Sequence, residues 1–117
     1  MYYVYMVRCA DGSHYTGLAR YLCKRMREHT ERNAACAKYT RTHHVIALDG
    51  LWRTETRADA ARLEALLKTL TKPQKLALLG KPQTLADFFG EKLDASRYEA
   101  LANVTLDDCT SGRFEEM

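Results

Sequence analysis

Tyr2-Tyr3-Val4-Tyr5-Met6-Val7-Arg8-Cys9, then Asp11-Gly12-Ser13, then His14-Tyr15-Thr16-Gly17-Leu18 is the stretch that decides the fold. Its first run is aromatic and β-branched, and it is apolar at odd and even positions alike. That pattern predicts a strand covered on both faces. Asp11-Gly12-Ser13 supplies turn chemistry, because Gly12 takes φ > 0 without steric penalty. His14 to Leu18 then returns as the second strand of a hairpin. Gly17 inside that strand indicates the close approach of another backbone or a ligand.

Downstream, Leu22 to Thr30 is predicted as a short helix with Leu22 and Met26 inward and Lys24, Arg27 and Glu28 toward water. Arg25 and His29 stand four residues apart and so point the same way. Asn33 to His44 is a polar, basic connection with no clear period. Val45 to Leu48 is a third strand, and Asp49-Gly50 is a turn or a bulge before Leu51-Trp52-Arg53-Thr54. The clearest helix runs from Arg57 to Leu70, opened by Thr56 and Asp59 as a capping box. Leu63, Leu66, Leu67 and Leu70 form its buried stripe, and Glu64 sits at the stripe's edge. Thr71-Lys72-Pro73 opens a further helix, Gln74 to Leu79, which Gly80-Lys81-Pro82 stops. Beyond it, Thr84 to Phe89 and Asp94 to Leu101 are predicted as short helices docked through Phe88, Phe89, Tyr98 and Leu101. Asp107 to Met117 has few apolar anchors and is expected to fray.

The whole chain has 117 residues, 46% of them hydrophobic and 28% charged. This is ordinary globular composition, and the length suffices for a core without disulfides. It argues against a multidomain enzyme, a collagenous repeat and a disordered acidic chain. No apolar run approaches the roughly 18 residues of a membrane span. The apolar start lacks a basic flank and is a strand, not a signal peptide. Cys9, Cys23, Cys36 and Cys109 form no CxxC, which fits free thiols in a reducing cytoplasm. His43-His44 lacks a third ligand at helical spacing and is expected to be solvated.

The net charge of +3 conceals a split. Residues 1–81 carry 15 Lys and Arg against 7 Asp and Glu, whereas residues 82–117 carry 3 against 8. The balance is +8 in the body and −5 in the tail. Between Arg8 and Arg41 alone stand 8 basic and 3 acidic residues. A basic body suggests a polyanionic partner. The expected organisation is a domain over 1–81 and an acidic, partly helical extension over 82–117.

Pattern alone describes a basic hairpin–helix protein with tyrosines on its first two strands. The residues themselves say more. Tyr3-Val4-Tyr5, Tyr15-Thr16-Gly17, Leu22-x-x-Arg25-Met26-x-x-His29 and Glu64, in this order and spacing, resemble the GIY-YIG nuclease family. Lys38-Tyr39-Thr40-Arg41 and Arg57-x-x-Ala60-x-x-x-Glu64-x-x-x-Lys68 are similar to its small single-domain bacterial members. The resemblance covers about residues 2–80. It implies a small α+β fold, a three-stranded antiparallel sheet flanked by helices, here followed by a C-terminal helical extension.

Position by position, the resemblance implies roles. Tyr5 and Tyr15 would line the site and position or deprotonate the attacking water. Gly17 would let the backbone pass close to the site. Arg25 would contact the scissile phosphate, and His29 would hydrogen-bond within the site. Glu64 would be the sole protein ligand of a divalent metal, Mg²⁺ or Mn²⁺. These residue types suit phosphodiester hydrolysis. A guanidinium can fork onto two phosphate oxygens, and one carboxylate can recruit an ion that keeps its own waters. A phenol of ordinary pKa near ~10 is a poor base at neutral pH, and a nearby cation would favour its phenolate.

Each residue also has an ordinary reading alone: hairpin core for the tyrosines, a solvated face for Arg25, an i,i+4 ion pair for Glu64 with Lys68. Their joint order outweighs those. Three departures stand out: Tyr3 for the opening glycine, Thr16 for the motif isoleucine, and Leu18 where several relatives are basic. Lys38, Tyr39 and Arg41 are expected to bind substrate. Tyr39 is the favoured ring for stacking on an unpaired base, ahead of Tyr21, Trp52 and His14.

The function expected is a metal-dependent endonuclease; since nothing resembles a major-groove recognition helix, single-stranded, branched or flapped DNA is the expected substrate, and the resemblance implies 5′-phosphate and 3′-hydroxyl products. The alternative is a catalytically weak nucleic-acid-binding module of the same fold in DNA repair or recombination, and a weaker reading is a domain that recruits a larger repair complex. A homo-oligomer or a repair-protein partner is compatible with either. The acidic tail is expected to lie near the basic face and compete with DNA, or to cap a self-association surface. Deleting residues 84–117 would then strengthen DNA binding or change the oligomer.

Overall fold

The computed structural model of the chain describes residues 1–32 and 35–114. Strand β1 (Tyr2–Cys9) and strand β2 (His14–Ala19) form the predicted hairpin, with Tyr5 opposite Gly17 and Val7 opposite Tyr15. Helix α1 (Leu22–Glu31) follows, then a short helix α2 (Lys38–Thr42) and the long strand β3 (Val45–Thr54). Helices α3 (Arg57–Lys68), α4 (Lys72–Gly80), α5 (Leu85–Phe89) and α6 (Leu106–Thr110) complete the set, with strand β4 (Glu99–Ala100) between the last two. The sheet is antiparallel with order β2-β1-β3-β4. β1 is thus central and β2 is an edge.

Strand β1 shows why its first six residues are apolar at odd and even positions alike. Tyr3, Tyr5, Val7 and Cys9 point to one face, where Leu22, Cys23 and Met26 of α1 and Cys109 of α6 cover them. Val4 and Met6 point to the other, among Trp52, Ala60, Leu63, Leu67, Leu78, Leu85, Phe89 and Leu93. Two-sided cover replaces the usual apolar–polar alternation. Opposite β1, the register of β3 slips between Met6 and Val7, so Asp49 is an extra residue. The predicted turn or bulge at Asp49-Gly50 is a bulge within one continuous strand. Gly50 sits tightly there, since a Cβ on it would lie 2.6 Å from Leu79 Cδ2.

Helix starts follow local chemistry. The Thr56 hydroxyl accepts from Asp59 N at 3.1 Å, while the Asp59 carboxylate faces Arg97 at 3.4 Å instead of closing the box. Thr71 and Gln74 form a complete capping box, with Pro73 in the first turn. Helix α3 ends at Lys68 rather than Leu70, because Thr69 N and Leu70 N bond to the carbonyls three residues back.

Several expectations are corrected. The sheet has four strands, not three: Glu99–Ala100 pairs with Arg53 and Trp52, a bridge too short to leave a periodic signal. Asp94 to Leu101 is not a helix. Asp94 Oδ1 accepts from Ser96 N at 3.1 Å, a 3₁₀ turn covers Ala95–Arg97, and β4 follows. The basic connection contains α2, and its residues Asn33 and Ala34 lie outside the described residues. Most of the expected frayed terminus is ordered: α6 has a Thr105–Asp108 capping box and puts Cys109 in the core. Residues 115–117 lie outside the described residues.

The acidic stretch after Pro82 is woven into both cores through Leu85, Phe89, Leu93 and Cys109. Gly112 and Phe114 lie beside Tyr21, Cys23, Lys24 and Arg27 of the basic region. Removing residues 84–117 would therefore open the core, and it cannot serve as a clean test of competition with DNA. Among the described residues, no helix is long and apolar enough to cross a membrane.

Candidate active site

The register of the hairpin builds the centre of the site. Tyr5 lies directly across from Gly17, and its ring runs over the edge strand at that point. A Cβ on Gly17 would fall 2.6 Å from Tyr5 Cζ, nearer still to the hydroxyl, and 3.2 Å from Tyr15 Cε2. The close approach expected at Gly17 is thus the approach of a tyrosine ring. Tyr15 stands diagonally across the same face, with ring centroids 6.5 Å from Tyr5 and 5.6 Å from His29.

Helix α1 brings the next two residues. The Tyr5 hydroxyl is 2.8 Å from His29 Nε2, and His29 Nδ1 is 2.7 Å from Thr40 Oγ1. All three side chains are buried. Arg25, one turn before His29, donates to Glu28 Oε1 at 2.8 Å and to the Ala35 carbonyl at 2.6 Å. Burial opposes its charge, and Glu28 and the Tyr5 hydroxyl more than restore it. Its guanidinium remains ionised.

These neighbours set the protonation of the pair. Burial pushes the Tyr5 phenol well above its ordinary value; Arg25 draws it down, and Tyr15 and Glu64 raise it. His29 is held down to about 4, first by burial and then by the adjacent Arg25 charge, with Glu28 opposing. At neutral pH the site therefore holds a protonated phenol against a neutral imidazole. Tyr5 as found is not a phenolate.

Glu64 projects from α3 to within electrostatic reach of Tyr5. Its carboxylate is partly exposed and pairs with Lys68 at 3.7 Å, the expected i,i+4 contact. Among the described residues no three His, Cys, Asp or Glu side chains gather as a ligand set. A single accessible carboxylate suits Mg²⁺ or Mn²⁺, which complete their shells with water and substrate oxygens. The residues present fit such an ion.

The structure brings Tyr5, Tyr15, Gly17, Arg25 and His29 together and places Glu64 close by. Lys38 and Arg41 are exposed on α2. Tyr39 is only partly exposed and is already engaged by two neighbouring rings. It stacks on Tyr15 at 5.8 Å and on His43 at 3.9 Å, and its hydroxyl donates to Ser13 Oγ at 2.6 Å. His14 is buried against Asp49 at 2.8 Å, and Trp52 is core, its Nε1 donating to the Pro82 carbonyl at 2.8 Å. Tyr21 is the open ring, 62% exposed, with the Arg20 guanidinium 6.0 Å above it. His43 is not simply solvated, since it stacks on Tyr39 and faces Asp11 at 3.8 Å.

Sequence reasoning missed Thr40. It stands in the quoted Lys38-Tyr39-Thr40-Arg41 stretch, but one buried threonine on a five-residue helix carries no periodic signal.

A family model described as the GIY-YIG catalytic domain matches residues 1–77. The UPF0213 protein FN1575 of Fusobacterium nucleatum is 40% identical over 83 residues, covering 71% of this chain and 81% of that protein. The UPF0213 protein SSP2268 of Staphylococcus saprophyticus is 35% identical over 80 residues, 68% of this chain and 95% of that protein. A solution NMR structure of the UPF0213 protein BH0048 from Bacillus halodurans is 32% identical, covering 68% of this chain and 84% of that one, with a TM-score of 0.43.

Proposed function

Because this chain belongs to the GIY-YIG family, we propose that it is a divalent-metal-dependent endonuclease that hydrolyses phosphodiester bonds in single-stranded, branched or flapped DNA. The observation that carries the reading is the meeting of Tyr5, Tyr15, Arg25 and His29 at one sheet edge, with Glu64 in electrostatic reach. The nuclease domain would be residues 1–81, in the cytoplasm, with residues 82–117 as its packed extension.

Each residue has a task in this reading. Arg25 would bind the non-bridging oxygens of the scissile phosphate, sharing its guanidinium with Glu28. Tyr5 and Tyr15 would orient the attacking water, with His29 holding the Tyr5 hydroxyl. Gly17 leaves the space that the Tyr5 ring fills. Glu64 would hold Mg²⁺ or Mn²⁺, which when bound supplies charge neutralisation and a more acidic water. Lys38 and Arg41 would meet the DNA backbone. Tyr21, with Lys24 and Arg27 exposed on α1, is the ring best placed for an unpaired base.

One observation favours the second reading, a binding module without turnover. Burial keeps the Tyr5 phenol protonated, which opposes its use as a base. The two readings separate in one assay: labelled single-stranded, duplex and flapped DNA with Mg²⁺ or Mn²⁺. The nuclease reading expects cleavage that falls by roughly 10²–10³ in Arg25→Ala and is lost in Glu64→Ala. Salt-sensitive binding with no product at any metal concentration would select the binding module.

A further inference from the structure

The Lys38-Tyr39-Thr40-Arg41 stretch turns one residue wholly inward. Thr40 is buried, with its Oγ1 2.7 Å from His29 Nδ1 and 3.1 Å from the Ala37 carbonyl. A threonine hydroxyl has one proton to give, and a carbonyl can only accept. The proton therefore goes to Ala37, and an oxygen lone pair is left facing His29. That makes Nδ1 the protonated nitrogen. The imidazole is neutral, since burial and the Arg25 charge outweigh Glu28. Nε2 is then bare, and the Tyr5 hydroxyl at 2.8 Å donates to it. The hydrogen bonds run one way, from Tyr5 to His29 to Thr40 to the Ala37 carbonyl.

We propose that Thr40 is a positioning residue, which fixes the Nδ1–H tautomer of His29 and so makes Nε2 the acceptor of the Tyr5 proton. The Tyr5 oxygen then keeps its lone pairs for other partners, the Arg25 guanidinium among them. The opposite tautomer would reverse this polarity. Nε2–H would donate to the Tyr5 oxygen, and the phenol proton would turn away from His29. A water to be activated would then meet a donor where it needs an acceptor. The geometry of Thr40 stands without any catalytic role, and only its consequence for turnover rests on the nuclease reading. Tyr39 assists from the same helix turn by holding the Tyr15 ring against its own.

The test uses the full chain as wild type, Thr40→Val and Thr40→Ser, with ¹⁵N-labelled histidine. NMR of the imidazole nitrogens reports the tautomer, and the His29 signals are those lost in His29→Gln. Wild type and Thr40→Ser should show protonated Nδ1 and bare Nε2, while Thr40→Val should shift toward Nε2–H. In the cleavage assay Thr40→Val should lower kcat by about tenfold or more with KM unchanged, and Thr40→Ser should restore it. Protonated Nε2 in the wild type, or retained Nδ1–H in Thr40→Val, would overturn the proposal. If Thr40→Val fails to fold, the wild type and Thr40→Ser spectra still decide it. Should the wild type cleave nothing while the tautomer switches as expected, the nuclease reading fails and the role of Thr40 stands.

Discussion

The two faces of the sheet share strand β1 and both bury apolar side chains, but only one of them also buries a chain of hydrogen-bonded polar groups. On the face under α3, α4 and α5, the core is apolar, with Trp52 and Phe89 among aliphatic side chains, and Trp52 satisfies its N–H on the Pro82 carbonyl. On the face under α1 and α6, Tyr3 and Tyr5 lie in the core, and Tyr5 reaches His29 and Thr40 through hydrogen bonds that satisfy one another. A buried polar chain of this kind costs little when complete and much when one member is removed. The first face therefore supplies cohesion alone, and the second also holds hydrogen-bonded polar groups in place. The site lies where the second face reaches the sheet edge at Gly17. There the ring of Tyr5 can pass over the backbone, and Glu64 of α3 comes within reach.

The largest effect should come from the face under α3, α4 and α5. Trp52→Ala should cost about 3–5 kcal/mol of stability, measured by denaturant titration, through lost burial and a residual cavity. If the faces divide labour as described, the DNA cleavage rate per folded molecule should hardly change. A loss of turnover in fully folded Trp52→Ala would break the division.

Next comes the pH dependence that the polar face imposes. His29 titrates at about 4 in the folded chain and near 6.5 when unfolded. The unfolded state therefore binds the extra proton first, and stability is fully present above the unfolded value. It should fall by on the order of 3 kcal/mol as pH drops from about 6.5 to about 4, then level off. His29→Gln should flatten that part of the stability curve. An unchanged slope would place the buried titration elsewhere.

The smallest effect sharpens the contrast from the opposite side. Thr16 faces the apolar core opposite Met6, and its buried hydroxyl has no partner. Thr16→Val keeps the shape and removes the unsatisfied group, so it should stabilise the chain by about 1 kcal/mol. The readout is a higher urea midpoint with an unchanged slope. A destabilised variant would mean that this hydroxyl is hydrogen-bonded after all.

Much of the frame was legible in residue order. The hairpin follows from a continuous apolar run and its turn residues, and α1, α3 and α4 follow from 3.6-residue patterns and from caps that act within four residues. The tyrosine pair was legible too, because a hairpin's register follows from its turn. Other parts were not. β4 is two residues long and pairs with a partner 46 positions away, Arg53 with Glu99. The acidic tail looked separable by charge, yet Leu85, Phe89 and Cys109 anchor it in both cores. Tyr39, between Lys38 and Arg41, had the composition of a base-stacking residue, and in the fold it stacks on Tyr15 and His43.

Residue types and spacing were enough to establish the strand covered on both faces, the helix stripes, the family and the set of groups that could do phosphodiester chemistry. Those are local properties, carried by side-chain chemistry and by geometry that repeats every two or every 3.6 residues. Which way the proton of Tyr5 points, which rings are already stacked, and where Glu64 sits relative to the hairpin were decided only when the elements packed. Hydrogen-bond polarity and ring contact depend on distances of a few ångströms between segments far apart in the chain, and spacing along a sequence does not encode those distances.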